Sequence, residues 1–113
     1  MIKLYGVPSC NQIRKSKALL DEHGIEYEFI HVKKNPVSAE KLKMAVDQLG
    51  LDRVLNSKGP TFRKLGLKDK QLDDKALFDW LLKEQGMIKR PLIEKDGKFH
   101  VGYDEEEIIN FVK

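Results

Sequence analysis

The sequence predicts an α/β protein built on one mixed sheet of four strands, with helices covering its faces. Three features predict this architecture. The chain opens with a strand, a helix and a second strand within residues 1–34, continues with a helical block at residues 37–86, and closes with a hairpin and a last helix within residues 88–113. A right-handed crossover makes the first two strands parallel, whereas hairpin strands are antiparallel, so the sheet is mixed. Its strands are rich in apolar residues and therefore need covering helices.

The opening unit carries clear signals for each of its elements. Residues 2–5 are apolar and aromatic enough for a buried strand. Residues 11–22 have a helix-forming composition, and Gly24 is a typical helix stop. Residues 25–32 then alternate apolar and polar side chains, which is the period of a half-covered strand.

The central block has helix signals and no strand signals. Ser38 can cap a helix that Gly50 ends, two short helical turns are expected within residues 51–57 and 61–65, and a longer helix is expected at residues 73–86. The two longer helices each place their apolar residues on one stripe. These residues are Leu42, Ala45, Val46 and Leu49 in the first helix, and Ala76, Leu77, Trp80 and Leu81 in the second.

The closing unit is marked by a hairpin signal. Asp96-Gly97 lies between the apolar residues 91–94 and 99–101, and both turn positions tolerate a positive φ. Asp104 can then cap a last helix, with Glu107 three residues on to complete a capping box. The hairpin supplies the third and fourth strands of the sheet.

The composition is typical of one globular domain of 113 residues, 41% hydrophobic and 35% charged. Its 21 basic and 18 acidic residues are interleaved and give a net charge of +3, so we expect no direct nucleic-acid partner. No run approaches the roughly 18 apolar residues of a membrane-spanning helix, so we expect no membrane partner. One cysteine cannot form an internal disulfide, which predicts a reducing, cytoplasmic location. The three histidines lie far apart, and no metal site is predicted.

Cys10 is the candidate nucleophile. It lies between the first strand and the first helix, so its thiol is expected near a helix N-terminus, where unpaired N–H groups and the helix dipole favour a thiolate. Arg14 lies one helical turn further on and adds positive charge. This loop follows the carboxyl end of a strand, where ligands bind in open α/β sheets. The alternative is a small buried hydrophobic residue, the usual role of a free cysteine. Position alone leaves both open.

Four segments, spread over nearly the whole chain, match the motifs of a known family in order and at fitting distances. They are Leu4-Tyr5-Gly6-Val7-Pro8-Ser9-Cys10 with Arg14-Lys15, Leu55-Asn56-Ser57-Lys58-Gly59 with Phe62-Arg63-Lys64-Leu65, Ile88-Lys89-Arg90-Pro91-Leu92-Ile93, and the closing hairpin at 97–105. Together they resemble the ArsC/Spx family of arsenate reductase-like, YffB-like and Spx-like proteins. The resemblance implies a thioredoxin-like fold in which residues 1–34 and 88–113 form the core. Residues 37–86 are then a helical insertion between the second and third strands.

The resemblance also implies roles for individual residues. Cys10 is the redox nucleophile, Arg90 is its basic partner for an anion or a thiolate, and Pro91 is the cis-proline that shapes the groove for an incoming thiol. Arg14 and Arg63 are further candidates for substrate binding. The alternative for Arg90 and Pro91 is a charged residue before a strand whose first position lacks an N–H group. The alternative for Arg63 is a solvated arginine on a helix.

The sequence departs from the family at positions that the resemblance associates with arsenate. Of three arginines expected there, only Arg90 is present. Asn56 stands where the resemblance implies an arginine in the central motif, and Gly102 or Tyr103 stands where it implies one in the closing hairpin. A tetrahedral oxyanion needs several convergent donors to replace its hydration. These changes argue against arsenate as the substrate.

Two more departures concern the cysteine loop. Ile13 stands where Spx-type regulators carry the second cysteine of a Cys-x-x-Cys switch, so no intramolecular disulfide switch is expected. Gly6 stands where a histidine precedes the catalytic loop of the family.

These observations favour a monothiol oxidoreductase. The Cys10 thiolate would attack a disulfide and form a mixed disulfide, which glutathione, another small thiol or a glutaredoxin resolves. No tightly bound cofactor is implied. The alternative is a Spx-like transcriptional regulator that binds the RNA polymerase α subunit, with Cys10 as a sensor or a relic. A third interpretation is a stable scaffold with neither activity.

Overall fold

The protein, described over all 113 residues by a computed structural model, contains a four-stranded mixed sheet. Its strands are β1 (Ile2–Gly6), β2 (Tyr27–His31), β3 (Leu92–Lys95) and β4 (Lys98–Val101), in the order β2-β1-β3-β4. Strand β1 pairs in parallel with β2 and antiparallel with β3, and β3 pairs antiparallel with β4. The predicted α/β fold with a mixed four-stranded sheet is confirmed.

Six α-helices surround this sheet. They are α1 (Asn11–Glu22), α2 (Ala39–Leu49), α3 (Leu51–Val54), α4 (Pro60–Lys64), α5 (Asp74–Lys83) and α6 (Glu105–Val112). Helices α2 to α5 lie between β2 and β3 in the chain, so the predicted helical insertion is confirmed. Two 3₁₀ turns, Leu67–Lys70 and Gln85–Met87, complete it. Helix α5 therefore ends before the predicted position, because its last two expected residues belong to the second 3₁₀ turn.

Three helices begin with the side-chain caps that the sequence predicts. The side chains of Ser38, Asp73 and Asp104 each accept a hydrogen bond from the backbone N–H three residues further on, at 3.2, 2.9 and 3.0 Å. The capping box of α6 is only half formed, because the Glu107 side chain makes no return bond to Asp104. The cap itself is sufficient to start the helix.

The hairpin between β3 and β4 turns at Asp96 and Gly97, whose φ angles are 50° and 82°. These are the left-handed conformations that an Asp-Gly turn requires, so the prediction is confirmed. Helix α2 lies against this hairpin. The Gln48 side chain donates to the carbonyl of Gly97 at 2.8 Å and accepts from the N–H of Phe99 at 2.9 Å.

Two apolar clusters lie on opposite faces of the sheet. Successive residues of a strand face opposite sides of the sheet. In β1, Tyr5 therefore belongs to the larger cluster and Leu4 to the smaller one, and in β3 the same holds for Leu92 and Ile93. The larger cluster lies between the sheet and the insertion, and the smaller one lies under α1 and α6. No helix is long and apolar enough to span a bilayer.

One prediction for the insertion is wrong. Leu55 and Ile88 form an isolated antiparallel bridge, although no strand pairing was expected within residues 37–86. Hydrogen bonds flank it on both sides, from Lys89 N–H to the Val54 carbonyl at 2.7 Å and from Asn56 N–H to the Met87 carbonyl at 2.8 Å. A bridge this short depends on two distant segments meeting, so it leaves no periodic signal in either of them.

Candidate active site

Cys10 is the N-cap residue of α1, with extended backbone angles (φ −77°, ψ 131°). Its carbonyl accepts the N–H groups of Ile13 and Arg14, both at 3.1 Å, which starts the helix. The first-turn amides of Asn11 and Gln12 have no intrahelical acceptor and point out of the helix end that Cys10 occupies. The cysteine is half-buried at the margin of the smaller apolar cluster. It is therefore not the fully buried hydrophobic residue of the alternative interpretation.

Gly6 and Ile13 pack against each other beneath this loop. A Cβ atom at Gly6 would lie 2.5 Å from Cγ1 of Ile13 and closer still to Cδ1, so the isoleucine occupies the space that any side chain at position 6 needs. Ile13 is completely buried. The two departures from the family motif thus form one packing unit, because the Ile13 side chain fills the space that a Cβ at position 6 would take.

Arg90 and Pro91 lie at the same end of the sheet as the cysteine loop. The antiparallel pair of β1 and β3 ends with Tyr5 opposite Leu92, so the start of β3 lies beside the end of β1. The Arg90–Pro91 peptide bond is cis, as the resemblance implies. The Pro91 carbonyl accepts from the N–H of Gly102 at 3.0 Å, which ties this bond to the segment after β4.

The Arg90 side chain, just before β3, lies beside the end of β1. Its Cγ atom lies 3.8 Å from the position that a Cβ of Gly6 would take. The side chain is half-buried, and its guanidinium makes no hydrogen bond or ion pair with another side chain. A half-buried guanidinium without a carboxylate partner is available to an anion or a thiolate.

The bridge between Leu55 and Ile88 bears on this arrangement. It holds Lys89, the neighbour of Arg90, to the backbone of α3 through the bond to Val54. The insertion therefore fixes the backbone that carries Arg90. The sequence did not predict this contact between the insertion and the segment before β3, because no local pattern indicates it.

The other two candidate arginines are placed differently. Arg14 is exposed on the first turn of α1, and its Nη2 donates to the carbonyl of Ser9 at 3.5 Å, within the cysteine loop. Arg63 is exposed on α4 in the insertion and makes no hydrogen bond or ion pair with the other candidates. The structure thus places Cys10, Arg14 and Arg90 at one end of the sheet, and the functional roles of these residues and of Arg63 remain predictions.

Tyr103 is a further polar residue whose side chain, like that of Cys10, packs against the smaller apolar cluster. Its hydroxyl donates to the Glu105 carboxylate at 3.2 Å. Burial and the nearby Glu105 charge raise the pKa of Tyr103, so the hydroxyl stays protonated and can donate a hydrogen bond. No three His, Cys, Asp or Glu side chains lie together in a way that would hold a metal ion.

A cysteine at the N-terminus of the first helix, at the same end of a mixed sheet as a cis-proline before the third strand, defines a protein of the thioredoxin-like class. The sequence model of the ArsC family matches residues 5–111. The chain therefore belongs to the ArsC family.

Individual relatives fall into two groups. The global transcriptional regulator Spx of Listeria innocua is 33% identical over 114 residues, which cover 99% of this chain and 87% of that protein. Among solved structures, a YffB protein superimposes with a TM-score of 0.91 at 32% identity, covering both chains completely. A protein of Streptococcus mutans described as a possible arsenate reductase has a TM-score of 0.84 at 36% identity and covers 98% of each chain. Regulators and reductase-like proteins are thus similar to this chain to comparable degrees.

Proposed function

We propose that this protein is a monothiol oxidoreductase in which Cys10 exchanges with disulfides. One observation carries the proposal: the lone, half-buried cysteine caps α1 at the end of the sheet where the half-buried Arg90 side chain starts, next to Gly6. Helix-end amides and a guanidinium both stabilise a thiolate, which is the form of cysteine that attacks a disulfide. The lone cysteine also fits a reducing, cytoplasmic location.

The reaction takes two exchange steps. In the first, the Cys10 thiolate attacks a sulfur of the substrate disulfide, one new S–S bond forms, and the other substrate sulfur leaves as a thiolate. In the second, the thiolate of glutathione or another small thiol attacks the substrate sulfur held on Cys10, forms a new S–S bond with it and releases Cys10 as a thiolate. One half of the substrate thus leaves as a thiol and the other as a disulfide with the external thiol, which is glutathione disulfide when the substrate is a glutathione mixed disulfide, and the enzyme returns to its starting state. A glutaredoxin can take the place of the small thiol.

Disulfides fit the site better than arsenate. The Streptococcus mutans relative is described as a possible arsenate reductase, but in this chain Asn56 stands where the resemblance implies a second arginine in the central motif. A disulfide carries no charge to desolvate, so one guanidinium and the helix-end amides are enough to stabilise the departing thiolate.

Turnover of a glutathione mixed disulfide tests the proposal. Hydroxyethyl disulfide, glutathione, glutathione reductase and NADPH are mixed, and NADPH consumption is followed. The wild type should accelerate the reaction, Cys10→Ser should abolish the acceleration, and Arg90→Ala should reduce it about tenfold, as expected for one charge-assisted contact. Arg53→Ala, at an exposed arginine of α3, is the matched control and should leave the rate unchanged. A rate no faster than that of glutathione alone would refute the proposal.

The reactivity of the thiol is a separate test. At neutral pH, iodoacetamide should alkylate Cys10 faster in the folded protein than in urea, because only the folded chain offers the helix end and Arg90. Equal or slower alkylation of the folded protein would mean that the site does not activate the sulfur.

A second candidate function is transcriptional regulation. The observation in its favour is the 33% identity to Spx of Listeria innocua along almost the whole chain. A regulator of this kind would bind the C-terminal domain of the RNA polymerase α subunit through its surface. Capture of that domain by the wild type, together with the absence of disulfide turnover, would favour regulation over catalysis. Turnover without capture would favour the oxidoreductase.

A further inference from the structure

His100 is a polar residue among apolar neighbours, on the face of the sheet that α1 and α6 cover. It lies on β4 opposite Ile93, which is completely buried in the smaller cluster. Its ring lies against that of Phe111 in α6, with ring centres 5.6 Å apart. Its Nε2 atom lies 3.1 Å from the carbonyl oxygen of Gly102, and because a carbonyl can only accept, Nε2 carries the hydrogen and donates it. The histidine thus ties the Gly102 carbonyl to this face of the sheet.

Gly102 makes a second hydrogen bond through its N–H group. That group donates to the Pro91 carbonyl at 3.0 Å. Gly102 has a φ of 94°, a backbone conformation that residues with a side chain rarely adopt. Both backbone polar groups of Gly102 are therefore bonded, one to His100 and the other to the segment before β3.

Tyr103, the next residue, connects this segment to α1. Its side chain packs against the smaller cluster, and Nζ of Lys15 lies 5.8 Å from the centre of its ring, within the range of a cation–π contact. Lys15 belongs to α1, the helix that Cys10 caps. Residues 102 and 103 thus contact both parts of the candidate site, the helix that begins after Cys10 and the segment that carries Pro91.

The backbone on the two sides of Arg90 is held from two directions. The N–H of Lys89 donates to the Val54 carbonyl at 2.7 Å, and the Pro91 carbonyl accepts from the N–H of Gly102. The first bond comes from the insertion, and the second comes from the segment after β4. The position of Arg90 therefore depends on both bonds.

We infer that His100 is a positioning residue of the candidate site. Through Gly102 it holds the Arg90–Pro91 segment in place relative to the helix that Cys10 caps. This role rests on the proposed function in one respect, since Arg90 must act on the Cys10 thiolate. His100 acts through the backbone and takes no part in the exchange of sulfur atoms. A bond that only stabilised the end of β4 would have no specific effect on Cys10.

Amide hydrogen exchange, followed by NMR, tests the link from His100 to Gly102. His100→Phe keeps a ring against Phe111 but removes the donor, so it should accelerate exchange of the Gly102 N–H about tenfold, whereas His100→Gln keeps an N–H donor and should stay within about twofold of the wild type. The N–H of Val32, which is bonded to the Gly6 carbonyl across the sheet, is the reference and should not change. Unchanged exchange of Gly102 in His100→Phe would overturn the inference.

Alkylation of Cys10 by iodoacetamide at neutral pH tests the link to the site. His100→Phe and Arg90→Ala should each slow it about threefold to tenfold, and His100→Gln should restore a rate near that of the wild type. The double variant His100→Phe/Arg90→Ala should be no slower than Arg90→Ala alone, because His100 acts through Arg90. His23→Phe, at an exposed histidine after α1, is the matched control and should leave the rate unchanged. A wild-type rate in His100→Phe, or additive losses in the double variant, would overturn the inference.

Turnover of hydroxyethyl disulfide separates this role from the proposed function. If the wild type turns over the disulfide while His100→Phe keeps the wild-type exchange and alkylation rates, only the positioning role is refuted. If the variants show the expected exchange and alkylation but the wild type has no turnover, only the oxidoreductase is refuted.

Discussion

At the scale of single residues, the loop that carries the cysteine depends on the contact between Gly6 and Ile13. The position of a Cβ at residue 6 is already filled by the isoleucine. We expect Gly6→Ala to lower the free energy of unfolding by about 1–3 kcal/mol, the usual cost of overpacking a core. Urea denaturation followed by circular dichroism measures this change.

Two further variants separate crowding from the general cost of replacing a glycine. Gly86→Ala is the matched control, because a Cβ there meets only Lys33 and Thr61 atoms at 3.7 Å, an ordinary contact distance. It should cost little. Adding Ile13→Val to Gly6→Ala removes the Cδ1 methyl and should recover part of the loss. Equal costs for the two alanine variants would contradict the crowding argument.

Sequence predicts the positions of the candidate site residues better than their packing. The positions of Cys10 at a helix start and of Arg90 before Pro91 follow from local signals and from the family motif. The contact of Ile13 with Gly6 does not, because it depends on how closely α1 approaches the end of β1. Distances between elements are set by the whole core and leave no mark in a short stretch of sequence.

At the scale of elements, a buried polar cluster joins α2 to the sheet. The Tyr5 hydroxyl donates to Oε1 of Glu94 at 2.6 Å, and Nζ of Lys41 donates to the same oxygen at 3.1 Å. Tyr5 and Glu94 are 3% and 8% exposed. We expect Tyr5→Phe to cost about 1.5–3 kcal/mol in stability, because a buried carboxylate loses a donor. Tyr27→Phe, at a less buried tyrosine, should cost less in the same denaturation assay.

The same cluster predicts how stability depends on pH. Burial alone would raise the pKa of Glu94, but hydrogen bonds from Tyr5 and Lys41 outweigh it, and the pKa lies below its ordinary value. A lowered carboxyl pKa stabilises the fold above the unfolded pKa of about 4.3, and this contribution is lost as the pH falls through the lower folded value.

Denaturation between neutral and acidic pH measures this contribution. The wild type should lose stability below about pH 4.3, and Glu94→Gln should show a shallower loss. Asp47→Asn removes the exposed carboxylate that pairs with Lys43 at 3.0 Å. It should leave the loss of stability at acidic pH nearly unchanged, because exposed ion pairs contribute little. An equal loss of stability at acidic pH in the wild type and in Glu94→Gln would contradict the assignment of this loss to Glu94.

A second link between elements is the amide of Gln85. Its oxygen accepts from the N–H of Val37 at 2.7 Å, and its nitrogen donates to the Val37 carbonyl at 2.8 Å, so it joins the segment before α2 to the 3₁₀ turn after α5. Gln85→Ala leaves both backbone groups without a partner, and we expect it to lower the free energy of unfolding by about 2–4 kcal/mol. The exposed Gln71 provides the control variant, Gln71→Ala, which should be nearly neutral. Thermal or urea denaturation of the two variants compares them directly.

At the scale of the whole molecule, the sequence predicts the order and type of the elements but not how the insertion joins the core. The period of the apolar residues, the caps and the Asp-Gly turn are local, and each is found where it was expected. The bridge of Leu55 to Ile88 and the bonds of Gln85 connect residues 33 to 48 positions apart, so no local pattern contains them. These connections determine whether the insertion behaves as part of the core.

They predict that the chain unfolds as one cooperative unit. The larger apolar cluster is shared by the sheet and the insertion, so neither can separate without exposing it. Trp80, the single tryptophan, lies in α5 and reports on the insertion, whereas far-ultraviolet circular dichroism reports on the whole chain. The two urea transitions should coincide.

A substitution on the far face of the sheet makes this test stricter. Ile93 is completely buried in the smaller cluster, away from the insertion. Ile93→Ala should destabilise the protein by about 2–5 kcal/mol and shift the Trp80 transition as far as the dichroism transition, because the two clusters share one sheet. An exposed substitution on the same sheet, Glu28→Ala, should shift neither. A Trp80 transition that stays in place when Ile93 is shortened would mean that residues 37–86 unfold as a separate domain.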